Sequence, residues 1–248
     1  MKQLSTEHLN LLPNPRELKR ICKSISALEA IICPEWEFRY YSYQKDWSET
    51  EECCEMRDGT GNQMLILFTK KGTCINGFAN ESKMNGWKSI QIKEEKTFVE
   101  KLFDSKKEIK TELIQEIANG VLNELPQEFN EFIFGEPIKS IGTTFCIWQT
   151  KTDENWKIGK VELPKDEYKD GSSDLLQLLD GKPLTYKNWA EEYYEENFEE
   201  NELKLELVEK IFGGVVITKE LVIEINPELS DFEQLKSNLD EIGYEHKI

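Results

Sequence analysis

Histidine is the scarcest chemical resource in this 248-residue chain: two residues, His8 and His246, one near each end. Ser-His-Asp and Cys-His nucleophile systems need an imidazole fixed beside the nucleophile, and zinc sites need gathered His and Cys ligands. Chain ends usually fray, so both chemistries are disfavoured and no catalytic or metal-ligating residue is assigned. No G-x-x-x-x-G-K-[ST] or G-x-G-x-x-G stretch occurs, which removes the familiar phosphate cradles. The glycine pair in "DGTGN" (58–62) has no lysine and no following helix, and reads as a turn. Long apolar runs are also missing. "GTGNQMLILFT" (59–69) is too short to span a bilayer, and the first residues lack the apolar core of a secretion signal. The expectation is a cytoplasmic protein with no membrane contact.

Cys-x-x-Cys pairs are absent too. The six cysteines stand at 22, 33, 53, 54, 74 and 146. Adjacent Cys53 and Cys54 are badly placed for an ordinary bridge, and Cys22 and Cys33 fall about 16 Å apart along one expected helix. Reduced thiols, with no disulfide, zinc or cofactor, are the reading. No repeat, low-complexity tract or Pro/Gly/Ser-rich joint divides the chain, so residues 1–248 are expected to form one compact body.

What the chain has in excess is acid: 48 Asp and Glu against 31 Lys and Arg, a net charge of −17. No basic cluster interleaved with aromatics stands against that field, so nucleic acid is not an expected partner. The excess is uneven, since residues 151–248 hold 25 acids and 12 bases. It peaks in "AEEYYEENFEENE" (190–202), with seven glutamates in thirteen positions. Projected at about 100° per residue, Tyr186, Trp189, Ala190, Tyr193 and Asn197 fall on one face of a helix. Glu191, Glu192, Glu195, Glu196 and Glu199 fall on the other. The glutamates repeat at four-residue steps, and each like-charge pair costs the helix about 0.2–0.5 kcal/mol. A solvated face is the plain explanation. The sharper one is a face for a basic protein partner, carried by Glu192, Glu195, Glu196 and Glu199. Elsewhere Asp166, Asp170 and Asp174 recur every four residues. That is not calcium-loop spacing, and a turn followed by a helix cap explains it.

Periodicity supplies the elements. "NPRELKRICKSISALEAIICP" is a helix capped by Asn14, entered at Pro15 and ended by Pro34. Alternation in "EWEFRYYSYQ" (35–44) predicts a strand with Trp36 inside. "MLILFT" (64–69) and "TCINGFA" (73–79) form a hairpin, and "SETEECCEMRDGTGN" between these strands reads as a helical turn running into a loop. Residues 94–125 carry a helical stripe of Ile109, Leu113, Ile117, Val121 and Leu125. "LPQEFNEFIF" is a short helix, and "TTFCIWQT" and "WKIGKVELP" are a second strand pair. Trp148 and Trp189 join Trp36 as core residues, while Trp47, Trp87 and Trp156 stand in looser contexts that favour recognition. Five helical segments follow, the last capped by Ser230 and Glu233. The class is α+β, a mainly antiparallel sheet flanked by helices, with a helical C-terminal third.

The block 32–82, with "FCIWQ" (145–149) and "DGSSDLLQLLDG" (170–181), resembles a group of uncharacterised bacterial cytoplasmic proteins that brings no activity with it. "LPQEFNEFI" is similar to the L-P-x-x-[YF]-x-x-F helix of SUKH-type toxin-immunity proteins, although Gly135 is followed here by Glu136 and not by a second glycine. That resemblance implies an acidic, non-catalytic binder. The alternative is a carboxylate-dependent hydrolase, which would show two close carboxyls with shifted pKa values in a cleft. Thiol titration of the denatured, unreduced protein should count all six cysteines; a lower count would mean a bridge.

Overall fold

The computed structural model describes residues 3–93, 109–165, 169–198 and 202–248. Helix α1 (Pro15–Ile32) begins where the sequence predicts. Asn14 Oδ1 accepts from the backbone N–H groups of Arg16 and Glu17, both at 3.1 Å, and so satisfies two of the donors a helix start leaves open. From Ser24 to Ile32 every residue is buried. A helix enclosed on all sides is a core element, and α1 is the one around which the rest assembles.

Strands β1 (Tyr41–Gln44), β2 (Glu52–Arg57), β3 (Gln63–Phe68) and β4 (Gly72–Phe78) follow as an antiparallel meander. β5 (Trp87–Lys93) and β6 (Ile109–Gln115) pair as a separate antiparallel ribbon. Short helices α2 (Asn130–Phe134) and α3 (Ile138–Ile141) lead to β7 (Phe145–Thr150) and β8 (Lys157–Ile158). These complete a six-stranded sheet in the order β1-β2-β3-β4-β7-β8. The chain ends in α4 (Ser172–Leu175), α5 (Pro183–Tyr193), α6 (Glu195–Phe198), α7 (Leu205–Phe212), β9 (Ile217–Thr218), α8 (Lys219–Ile225), α9 (Phe232–Ile242) and β10 (His246–Lys247). The class is α+β, and the six-stranded sheet is antiparallel throughout.

The period-two geometry of the strands gives the sheet two apolar faces. Met64, Ile66, Ile75 and Ile147 pack with α1 and the C-terminal helices. Leu67, Cys74, Cys146 and Trp148, one residue out of step, pack with Phe129 and Ile133 of the α2 region. Cys54 joins the first face opposite Ile66, while Cys53 pairs with Leu67. Adjacent cysteines on one strand thus point to opposite faces.

Several sequence expectations are corrected. The strand predicted over 35–44 starts only at Tyr41. Trp36–Phe38 form a 3-10 turn because Arg39 is folded inward, its Nε donating to Cys33 O at 2.7 Å and its Nη2 to Pro34 O at 2.6 Å. Trp36 is therefore 48% exposed and is not a core residue. The segment read as a helical turn is strand β2, whose Glu, Cys and Met residues carry little strand signal. Within the helix predicted over 94–125, residues 94–108 lie outside the described ones, and Ile109–Gln115 is a strand paired with β5. Cross-strand pairing overrides the helical spacing of Ile109 and Leu113. The strand predicted over 156–164 shrinks to β8, because the 120–121 backbone crosses at Gly159. A Cβ there would meet Gly120 O at 1.9 Å. The cap of α9 is Asp231, which accepts from Gln234 N–H at 2.9 Å, and not Ser230. Trp156, read as a recognition residue, is buried with its Nε1 donating to Pro13 O at 2.8 Å.

The β7–β8 turn yields a pH test. Asp153 accepts from Thr150 Oγ1 (2.7 Å), Thr150 N–H (3.0 Å) and Lys157 Nζ. The Lys157 and Thr150 hydrogen bonds lower its pKa from 3.8 to about 2. A depressed carboxylate stabilises the fold above its unfolded pKa and loses that contribution as pH falls through the folded value. The stability gap between wild type and Asp153→Asn in urea titrations should hold above about pH 4 and close towards about pH 2. A gap independent of pH would contradict the assignment.

Candidate functional site

The acidic stretch starts on α5. Pro183 sets its first turn, and Tyr186 and Ala190 are fully buried against α1 and α7. Glu192, Glu195 and Glu196 face solvent, as predicted, whereas Glu199 lies outside the described residues. The continuous helix predicted through this stretch is broken. Tyr194 has φ −107° and ψ 42°, and α6 restarts beyond it. Its hydroxyl turns inward to Glu29 Oε2 at 2.5 Å, so Tyr194 anchors the joint while Tyr193, predicted to face inward, is 41% exposed. Tyr193 still rests on other rings, stacked on Trp189 at 4.9 Å and edge-on to Tyr40 at 5.0 Å. Glu191 leaves the wet series as well. It accepts from Lys187 Nζ at 2.8 Å and from Leu203 N–H at 2.9 Å. The buried Lys187 also holds Glu202 at 2.7 Å, and these hydrogen bonds raise the lysine pKa.

Beneath the joint lies Glu29, fully buried on α1. It accepts from Tyr186 Oη (2.8 Å), Tyr194 Oη, Tyr40 N–H (3.0 Å) and Tyr41 N–H (3.4 Å). Burial raises its pKa, and the hydrogen bonds from the two hydroxyls and two amides oppose that rise. All four partners donate, which is the arrangement an ionised carboxylate needs when water is excluded.

Past the joint, Glu196 lines a cleft of about 720 Å³ at the C-terminal end of α1, together with Glu35, Glu228, Asp231, Phe198 and Ile225. Asn197 Nδ2 and Asn226 Nδ2 donate to Ile32 O and Ile31 O, both at 2.8 Å, tying the cleft walls to the last turn of α1. Glu192 and Glu195 lie outside the cleft lining. Sequence reasoning missed Glu35, Glu228 and Asp231, which reach the cleft from separate elements. Among the described residues, Glu192, Glu195 and Glu196 meet no lysine or arginine.

The remaining candidates are structural. Asp58 receives Thr60 N–H, Thr60 Oγ1, Asn62 N–H and Asn62 Nδ2 in the β2–β3 turn. Asp170, buried, receives Thr6 Oγ1, Ser172 N–H and Ser172 Oγ; Asp166 lies outside the described residues. His246 is held in β10 beside β9 and not at a frayed end, with its Nε2 3.2 Å from Asp240. Burial pushes the Cys33 thiol up to about 11 and the thiols of Cys53, Cys54 and Cys74 well above their usual range. Thiols held protonated are poor nucleophiles. Among the described residues no three His, Cys, Asp or Glu side chains gather to hold a metal, and no helix is long and apolar enough to cross a membrane. Comparison with models of known protein families, with curated proteins and with solved structures found no match.

The Glu29 cluster sets a stability test. Tyr194→Phe and Tyr186→Phe each remove one donor from a buried carboxyl and should cost about 1–3 kcal/mol in urea unfolding. Tyr193→Phe, at a surface ring, should stay within about 0.5 kcal/mol of wild type. Equal effects at all three positions would refute the anchoring role of Glu29.

Proposed function

We propose that this chain is a non-catalytic binder of a basic protein in the cytoplasm, immunity-like in the sense that the nine-residue resemblance of "LPQEFNEFI" to a SUKH-type helix implies. One observation carries the reading. Exposed carboxylates of Glu192, Glu195 and Glu196 stand without a basic partner among the described residues, and Glu196 lines a cleft that adds Glu35, Glu228 and Asp231. Unpaired like charges held side by side give up stability and attract cations, chiefly by accelerating encounter. The two asparagine bridges to α1 support a fixed cleft, which lets several weak contacts act together. The hydrolase alternative asks for a shifted carboxyl in an open cleft. Burial does shift Glu29, but Glu29 is sealed among four donors and lines none of the described pockets.

The test is Glu192→Gln/Glu195→Gln/Glu196→Gln. Since α5 and α6 are separated at Tyr194, the Glu192–Glu196 repulsion does not act along one helix, and thermal unfolding should be unchanged or slightly raised. Pull-downs from native lysate at low and raised salt should show a basic protein retained by wild type at low salt, released by salt, and lost in the variant. Equal capture by both proteins would reduce these glutamates to a solvated face.

A further inference from the structure

A second cleft, of about 680 Å³, opens at the base of the β5–β6 ribbon and shares no lining residue with the acidic one. Trp87 and Leu113 line it from the ribbon, Phe134 from α2 and Ile138 from α3. Leu113 is 69% exposed and Phe134 56%, so two of the three most exposed large apolar side chains among the described residues line one hollow. Single exposed apolar residues are ordinary, whereas their convergence in a concave site marks a ligand. The polar wall groups are spent on the protein itself. Trp87 Nε1 donates to Ile141 O at 3.0 Å, and the Gln115 amide both donates to Thr143 O (3.3 Å) and accepts from Thr143 N–H (2.9 Å). Among the described lining residues Lys139 alone carries a charge, in a chain with 48 acids. It makes no ion pair among the described residues, and the acid nearest to it in sequence, Glu136, accepts instead from Ser140 Oγ at 2.6 Å. Asn119 and Asn123 add neutral amides, which set no sign.

We propose that this cleft binds an amphipathic monocarboxylate, a fatty acid, its chain held by Trp87, Leu113 and Phe134 and its carboxylate by Lys139. The site is separate from the acidic joint, and neither reading depends on the other. Its volume of about 680 Å³ lies within the roughly 300–1,000 Å³ of small-molecule sites. Removing the ligand's methylenes from water supplies the affinity, and the exposed Lys139 ammonium selects the head group. A cationic amphiphile would set its charge against Lys139, and a ligand rich in hydroxyls would find the wall's donors and acceptors already taken. The net charge of −17 disfavours any anion at long range, but salt screens exposed charges beyond about 8 Å, which leaves Lys139 to govern the cleft.

Titration calorimetry with decanoate below its micellar concentration tests this, with decanol and decyltrimethylammonium as neutral and cationic controls of equal chain length. Wild type should bind decanoate more tightly than either control, although the net charge of the protein favours the cation. Lys139→Met, which keeps an apolar stem, should weaken decanoate about three-fold and leave decanol unchanged. Leu113→Gln and Phe134→Gln, both at exposed positions, should leave thermal unfolding unchanged and weaken decanoate and decanol alike, by about five-fold. No binding of decanoate by wild type, or wild-type affinity in the two Gln variants, would overturn the site. Unaltered decanoate affinity in Lys139→Met would overturn the carboxylate assignment and the proposal with it. Sedimentation showing a dimer that Phe134→Gln dissolves would assign the cleft to a second copy of this chain and overturn the proposal as well. None of these outcomes touches the triple Gln test of the acidic joint.

Discussion

One buried carboxylate organises the α5–α6 side of this molecule. Glu29 sits on the last turns of α1, where every neighbour is enclosed, and its four donors come from three places in the chain: the entry to β1, the middle of α5 and the joint before α6. Stripping water from a carboxylate costs several kcal/mol, and a charge left partly unsatisfied in the core is worse than none. The four donors therefore act as a set. Tyr194 can join that set only by leaving the helix, and this is the physical reason that α5 stops at Tyr193.

The break then dictates the surface. An unbroken helix through residue 198 would have aligned the glutamates in straight rows at four-residue steps. With Tyr194 turned in, α6 restarts beyond it, Asn197 reaches the end of α1, and Glu196 lines the cleft with Glu35 and the α8–α9 loop. Glu192 stays on the other side of the joint, on α5. A buried polar cluster and an acidic surface, which sequence alone presents as unrelated, are two sides of one turn of backbone.

Much of this was legible and some was not, for identifiable reasons. The Asn14 cap and Pro15 entry, the β3–β4 hairpin and the solvent face of Glu192, Glu195 and Glu196 are local, written within a few residues. Strand β2 was hidden because Glu52, Cys54 and Met56 owe their strand state to Phe68, Ile66 and Met64 across the sheet. Strand β6 was hidden because the four-residue steps from Ile109 to Leu113 and Ile117 satisfy helical spacing until β5 pairs with the segment. The cleft could not be read at all, since Glu35, Glu196 and Glu228 are brought together only by the fold. Glu29 offered one faint signal, a lone acid between Leu28 and Ala30 in an otherwise apolar run.

The arrangement also accounts for how so acidic a chain holds together. Acids on the structural side of the joint are neutralised locally: Glu191 and Glu202 share the buried Lys187, Glu52 is held by Lys19 and Lys23, and Glu29 has its ring of donors. Exposed repulsion between Glu192, Glu195 and Glu196 is weak in water and falls with salt, so leaving these unpaired costs little until a partner removes the solvent. At that moment the same charges become costly unless the partner brings cations. In the proposed binder, selectivity for a basic surface would follow from desolvation as much as from attraction, since a neutral partner pressed against this joint would meet exposed carboxylates with nothing to replace their water.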